Sequence, residues 1–464
     1  MDRNLSQDLN DLPDLLRKTL EISVDYLQSV DTRPAATPMP AVDPLGLPED
    51  GLGAKRALDL FVERYGNAMP ASNGPRFWGF VVGGTTPASL LGDWLTSAYD
   101  LNLTSTGNST APNIEIEAIQ LLRELFGLPP AFHGTFVTGA TVANFVGLGT
   151  GREWVARQQG ASAAEEGLAA LPPIPVLSGA AHSSTFKALA MLGVGRRSLR
   201  AVPLLEGDRE AVDVDALRRE LAALQGRPAI VVANAGTVNT VDFDDLREIA
   251  GLKSHFPFWL HVDAAFGGFA ACSPRYRHLL DGIAEADSIT IDAHKWLNVP
   301  YDAAMVFTRH RDLQVDVFRS SGAYLGPIAD PPDFMHLAPE SSRRLRALPA
   351  WLTLLAYGRA GYQDIVERNC AQARHLGERI ETSDRFRLLA PVRMNVVCFT
   401  LTGEVDSDRV AAFLARLRDD GRVFLTPTVF QGVAGMRAAF SNWRTREEDV
   451  EIAWGAMNEC LGAL

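Results

Sequence analysis

Between residues 75 and 320, short unbroken apolar runs alternate with segments of helical spacing, and no other feature limits the possible folds as strongly. The runs fall at 135–138, 175–177, 201–204, 229–233, 259–262, 288–291 and 304–308. A strand that is apolar on both faces has to be covered on both faces. Such strands alternating with helices predict an α/β architecture with a mainly parallel central sheet. One intervening helix, 114–126, is amphipathic and stops at Gly127 and Pro129.

The flanks read differently. Residues 1–30 place Leu9, Leu12, Leu15, Leu16, Leu20, Ile22 and Leu27 at helical spacing, and 31–53 is rich in Pro, Gly and Ala, as an extended connection would be. That first helix has no core of its own and needs another part of the protein, or a partner subunit, to lie on. Beyond about 340 a long helical stretch leads to a smaller α+β lobe with candidate strands at 396–401 and 423–426. A chain of 464 residues is too long for one core. The expected division is an N-terminal helical and extended segment at 1–74, a large domain at 75–335 and a small C-terminal domain at 336–464.

Composition excludes several functions. The 44 basic against 56 acidic residues give a net charge of −12 with no basic tract, which argues against nucleic acid as a partner. Cys272, Cys370, Cys398 and Cys460 are far apart, so neither a metal site nor a disulfide framework is expected, and a reducing compartment fits. The acidic, polar start is unlike a signal peptide, and no apolar run approaches a membrane span. A soluble cytoplasmic protein with no membrane contact is the expectation.

Four segments carry residues suited to chemistry. In Ser288-Ile-Thr-Ile-Asp-Ala-His-Lys-Trp296 a buried strand runs out into Asp292, His294 and Lys295. Burial disfavours a charged lysine, and a neutral amine can form a Schiff base; the alternative is a lysine that reaches to solvent. In Trp259-Leu-His-Val-Asp-Ala-Ala-Phe-Gly-Gly268 a second strand ends in Asp263, either a helix cap or a ligand-facing carboxylate at the strand ends where open α/β sheets bind ligands. In Phe136-Val-Thr-Gly-Ala-Thr-Val-Ala-Asn144 a strand, a glycine turn and a helix start follow one another, an ordinary βα turn or a phosphate site made of free N–H groups. Its glycines fit neither the dinucleotide nor the nucleotide loop spacing. In Gly179-Ala-Ala-His-Ser-Ser-Thr-Phe-Lys187, His182 could cap a helix or stack on a planar ring.

The order of these segments, phosphate turn, histidine, aspartate, then His-Lys, resembles the group II pyridoxal-phosphate decarboxylases, which include aromatic-amino-acid and glutamate decarboxylases. The resemblance runs from about Phe77 to the C-terminus. It is carried by Ala-His-Ser-Ser at 181–184, His-Val-Asp-Ala-Ala at 261–265, Asp-Ala-His-Lys-Trp at 292–296, Thr237 and Arg343-Arg344. It implies the fold-type-I architecture of pyridoxal-phosphate transferases and a homodimer with the site at the interface. It also implies loss of CO2 from an L-amino acid to give an amine. By the same resemblance Lys295 holds pyridoxal 5′-phosphate as a Schiff base, Asp263 pairs with the ring nitrogen and His182 stacks on the ring. Gly139, Ala140 and Thr141 would hold the phosphate with His294 nearby, Ala265 would pack on the ring, and Thr237 would lie near its hydroxyl. The weakly matched segment holding Phe77, Trp78, Phe80, Thr85 and Thr86 would contribute to the substrate pocket and hints at an apolar or aromatic side chain.

Three departures qualify this. Asp292 stands where the aromatic decarboxylases carry asparagine near the phosphate, and a carboxylate there repels phosphate unless it is paired. Val142 replaces an acidic residue in the turn. Phe334 falls where the family places a loop tyrosine that returns a proton to the substrate carbon; relatives with phenylalanine there make an aldehyde. Tyr324 or His336 could supply the proton instead, and Phe334 could be a packing residue. An amine-forming decarboxylase, an oxidative decarboxylase, a pyridoxal-phosphate carbon–carbon lyase and an idle binding protein on the same fold therefore stay open.

Overall fold

The computed structural model describes residues 1–38, 42–103, 109–169, 171–320 and 328–462; Tyr324 lies outside them. Seven strands form the larger sheet: β1 (His133–Val137), β2 (Val176–Ser178), β3 (Leu199–Ala201), β4 (Ala229–Asn234), β5 (Phe258–Asp263), β6 (Ser288–Asp292) and β7 (Ala304–Thr308). Their order is β1-β7-β6-β5-β4-β2-β3. The ladders from β3 to β6 are all parallel, and β7 runs antiparallel to both neighbours. Every residue of β4, β5, β6 and β7 is buried, as their unbroken apolar character requires. The link from β6 to β7, residues 293–303, contains no helix of the kind that usually makes a parallel crossover.

Helices cover both faces. Ala111–Phe126 begins with Pro112 in its first turn and ends on Gly127 in the left-handed region, φ 67. Ala140–Gln158 packs across β5, β6 and β7 with its N-terminus at the carboxyl edge of the sheet. A second sheet, ordered β10-β11-β9-β8, is antiparallel throughout and consists of β8 (Phe386–Leu388), β9 (Val396–Leu401), β10 (Thr426–Phe430) and β11 (Val433–Ala439). The long helical stretch Ala347–Glu381, kinked at Gly358 (φ 57), touches Pro87–Tyr99 and Ala111–Phe126 near one end, and β8 and β9 near the other. At the N-terminus, Arg3–Asn10 and Leu12–Ser29 bury no residue, and Leu12, Leu16, Leu20 and Val24 are exposed.

Candidate active site

The carboxyl ends of β5 and β6, the turn after β1 and the N-terminus of Ala140–Gln158 enclose a cavity of about 320 Å3. Gly139, Ala140, Thr141, His182, Thr237, Asp263, Ala265, His294 and Lys295 all line it, with Phe80, Asn234, Phe266, Asp292 and Arg437. The four chemistry-bearing segments of the sequence therefore meet at one place. A larger cavity of about 740 Å3, lined by Tyr26, Phe61, Thr85 and Trp94 among others, contains no lysine and none of those four segments.

Lys295 is held by its backbone. A Cβ on Gly83 would lie 1.6 Å from the Lys295 carbonyl oxygen, so only glycine lets the 77–86 segment pass this close. Just before it, Phe80 and Val81 adopt left-handed backbone (φ 58 and 60) at the cavity wall. Such strain costs on the order of 1–3 kcal/mol per residue and clusters at functional sites. Lys295 Nζ sits 5.6 Å from the centre of the Phe266 ring and 3.4 Å from Asp292 Oδ2.

Asp292, the departure flagged above, is paired. Its Oδ1 accepts from the Ala140 amide at 3.2 Å and lies 3.3 Å from His294 Nε2. Burial alone would raise its pKa; Lys295 and the His294 hydrogen bond outweigh that, and the net shift is downward. The carboxylate thus occupies a donor of the helix N-terminus suited to an anion. His294 Nδ1 accepts from the Ala303 amide, which leaves Nε2–H for Asp292, and its ring lies 4.4 Å from that of Tyr301.

His182 serves as a helix cap at the cavity wall: it caps Ser183–Met191, with Nδ1 accepting from the Ser184 amide. Burial, with Lys295 and Arg437 nearby, lowers its pKa against the opposing pull of Asp263. Asp263 accepts from the Ala265 amide at 3.2 Å and from Asn144 Nδ2 at 2.9 Å. The Thr237 hydroxyl donates to Glu210 at 2.7 Å, so its hydrogen is directed away from any ligand.

The remaining candidates lie elsewhere. Phe77 stacks on Phe424 at 4.7 Å, Thr86 caps Pro87–Tyr99 and bonds Thr353, and the Thr85 carbonyl accepts from Trp443; of the expected pocket residues, Phe80 is the one that reaches this cavity. Trp78 is core. Phe334 is buried in a short turn beneath the Arg343 guanidinium, 5.4 Å away, and His336 is buried with Nδ1 accepting from the Ser320 amide. Neither lines the cavity of its own chain.

Reasoning from sequence missed Asn144, Ser184, Glu210 and Arg437. Arg437 arrives from β11 in the second sheet; its Nη1 donates to the Val238 carbonyl and its buried Nε has no partner. Only the Asn-Ser pairing had a visible sign, since both residues lie inside motifs already singled out.

The site has a lysine amine, a carboxylate at a strand end, a flanking imidazole and helix N-terminal amides around a ring-sized space. That donor set fits pyridoxal phosphate. No cluster of His, Cys, Asp or Glu suited to a metal ion occurs among the described residues.

Comparison with known proteins agrees. Residues 67–402 match the model of the pyridoxal-dependent decarboxylase conserved domain. An aromatic-L-amino-acid decarboxylase of Manduca sexta is 30% identical over 406 residues, covering 83% of this chain and 78% of its own. The Oryza sativa protein TDC, crystallised with PLP and tryptamine, superposes with a TM-score of 0.88 at 24% identity over 98% of both chains. A 4-hydroxyphenylacetaldehyde synthase of Rhodiola rosea superposes at 0.87 with 21% identity over 98% of this chain and 99% of its own. These superpositions identify the fold as that of the type-I pyridoxal-phosphate enzymes. The chain belongs to the pyridoxal-dependent decarboxylases and is a carboxy-lyase whose cofactor is pyridoxal phosphate.

Proposed function

We propose that the chain decarboxylates an L-amino acid to its amine, with the cofactor attached to Lys295. The observation that carries this is the convergence of Lys295, Asp263, His182 and the 139–141 turn on one cavity. When bound, pyridoxal phosphate supplies a ring that takes up the electron pair left as the bond to the carboxylate breaks. CO2 departs and a proton takes its place on the α-carbon. The 139–141 turn would hold the phosphate, its Ala140 amide once released by Asp292, while Asp263 would hold the ring nitrogen, His182 and Ala265 would confine the ring, and Thr237 and His294 would close its edges. Arg437, whose side chain reaches the cavity wall from the second sheet, is placed to receive a substrate carboxylate. Phe80 and Phe266 favour an apolar or aromatic side chain, as the name of the Manduca relative also suggests.

A second reading has its own support. Phe334 has no proton to give, and the fold is shared with an aldehyde synthase. In that reading amino acid, O2 and water yield aldehyde, CO2, ammonia and hydrogen peroxide. Incubating the loaded protein with a panel of L-amino acids in air, and weighing the products, decides. An amine lacking CO2 supports the first reading; aldehyde with peroxide supports the second; no consumption of any amino acid counts against both.

The same proposal includes a homodimer in a reducing, cytoplasmic setting, with the parts 1–74, 75–335 and 336–464. The exposed Leu12, Leu16, Leu20 and Val24 favour a partner subunit over the N-terminal helix, and all four cysteines are unpaired. No helix among the described residues is long and apolar enough to cross a membrane. Sedimentation of the purified protein tests the dimer; a monomer at micromolar concentration would refute it.

A further inference from the structure

Behind Asp263 lies a line of buried polar groups, Trp259, Ser288, His261, Asn144 and Ser184, that the reaction outlined above does not use and that ends on His182. Trp259 Nε1 donates to Ser288 Oγ at 2.9 Å. Ser288 Oγ is 2.7 Å from His261 Nδ1, and His261 Nε2 is 2.9 Å from Asn144 Oδ1. Asn144 Nδ2 donates to Asp263 Oδ2 at 2.9 Å and to Ser184 Oγ at 3.0 Å. Ser184 Oγ in turn is 2.7 Å from His182 Nδ1.

Both ends of this line are one-way groups, which fixes every proton between them. An indole N–H only donates and a carboxylate only accepts. Asp263 therefore turns the Asn144 amide nitrogen toward itself, and Asn144 Oδ1 faces His261. A carbonyl oxygen only accepts, so His261 carries its proton on Nε2. Its Nδ1 then accepts from the Ser288 hydroxyl, whose oxygen accepts from Trp259. Burial supports this state, because it lowers the His261 pKa to about 4 and keeps the ring neutral. Asn144 uses both amide hydrogens and its oxygen, and the second hydrogen orders Ser184 so that its hydroxyl faces His182.

The backbone makes room for the line. Trp259, His261 and Asp263 alternate along β5 and share one face of it. Asn144, Gly147 and Gly151 are spaced three and four apart on Ala140–Gln158 and share the opposing helix face. A Cβ on Gly147 would lie 2.6 Å from His261 Cε1 and 3.1 Å from Ser288 Oγ, and one on Gly151 would lie 2.7 Å from Trp259 Cδ1. Two glycines inside a helix are poor helix formers, and here they sit where any side chain would collide with the line.

We infer that Asn144 and His261 are positioning residues that keep Asp263 a carboxylate, so that the proton it shares with the cofactor resides on the ring nitrogen. This rests on the assignment of Asp263 to that nitrogen. Donors aimed at a carboxylate stabilise its charged form. Without them the carboxylate becomes more basic, draws the proton to itself and leaves a neutral ring that is a weaker electron sink.

The test is the nitrogen resonance of protein loaded with pyridoxal phosphate labelled with 15N in the ring. The unmodified protein is expected to show a pyridinium signal. Asn144→Ala should move it toward neutral pyridine, and His261→Phe should move it part of the way. His261→Gln, whose amide can donate to Asn144 and accept from Ser288, should restore it. Gly147→Ala removes no polar group and favours the helix, yet it should shift the signal by displacing His261; it also serves if Asn144→Ala does not fold. A pyridinium signal unchanged in Gly147→Ala and His261→Phe would overturn the relay alone. An unmodified protein that binds no cofactor, or binds it with a neutral ring, would overturn the relay and the assignment of Asp263 together.

Discussion

Arg343→Met should destabilise the protein far more than an ordinary substitution. The Arg343 guanidinium and the Glu115 carboxylate are 1% and 0% exposed. Nη2 of Arg343 reaches both carboxylate oxygens at 2.9 Å, and Nη1 donates to the Phe136 carbonyl at 2.7 Å and to Thr135 Oγ1 at 2.8 Å. Glu115 accepts from the Phe136 amide at 2.9 Å. β1 is an edge strand. The pair therefore satisfies outward N–H and C=O groups that a further strand would otherwise take, next to the turn leading to the 139–141 amides. Removing the arginine leaves a buried carboxylate without its counter-charge, at a cost of about 3–5 kcal/mol. Unfolding entropy of about 2.1 cal/mol/K per residue over 464 residues is roughly 1 kcal/mol/K, so Tm should fall by about 4 °C. Adding Glu115→Leu removes the stranded charge but newly orphans the Phe136 amide, at about 1–3 kcal/mol, the carbonyl having lost its partner already in Arg343→Met. The double variant should thus recover only part of the loss. Calorimetry of the three variants measures this. A single-variant Tm within 1 °C of wild type, or a double variant less stable than Arg343→Met, would refute the reasoning.

Three further outcomes are expected. Asp292→Asn removes an anion from the phosphate cradle and should tighten cofactor binding about tenfold, roughly 1.4 kcal/mol; because the Asp292 carboxyl is held below its ordinary range, the gain should be uniform from pH 6 to 8 in a fluorescence titration. The folded-state pKa of His261 is depressed from 6.5 to about 4, so its contribution is fully present above 6.5 and is lost as pH falls, amounting to about 3 kcal/mol by pH 4; urea unfolding of His261→Gln should show a shallower decline over that window. Gly83→Ala forces the backbone at Lys295 aside and should weaken cofactor binding at least a hundredfold, whereas Gly46→Ala, with nothing within 4 Å, should leave it unchanged.

What the sequence showed depended on how local the signal was. β4 to β7 are apolar on both faces, and their runs were placed within a residue or two. β3 is short and largely exposed, so the apolar signal falls on the residues after it, 201–204, rather than on Leu199–Ala201. In the second sheet, Val396–Leu401 is legible, but the apolar run at 423–426 precedes the strand Thr426–Phe430, which Pro427 and the exposed Val429 mask. The small, mixed residues of β11 hid that strand altogether. Residues at strand ends and in the helix N-terminal turn were found because their chemistry is tied to a local element. Arg437 and Glu210 were not, since only the packing of distant segments brings them to the wall or behind it. Phe77, Thr85 and Thr86 illustrate the converse: they are close in sequence to Phe80, but their contacts are with Phe424, Trp443 and Thr353.

The claim on which all of this depends is that Lys295 holds the cofactor. Borohydride reduction of the protein with pyridoxal phosphate, followed by peptide mapping by mass, reads it directly. The added pyridoxyl phosphate mass is expected on the peptide containing Lys295, and none at that peptide in Lys295→Ala. Label on another lysine, or no label on a protein that still consumes amino acids, would contradict it.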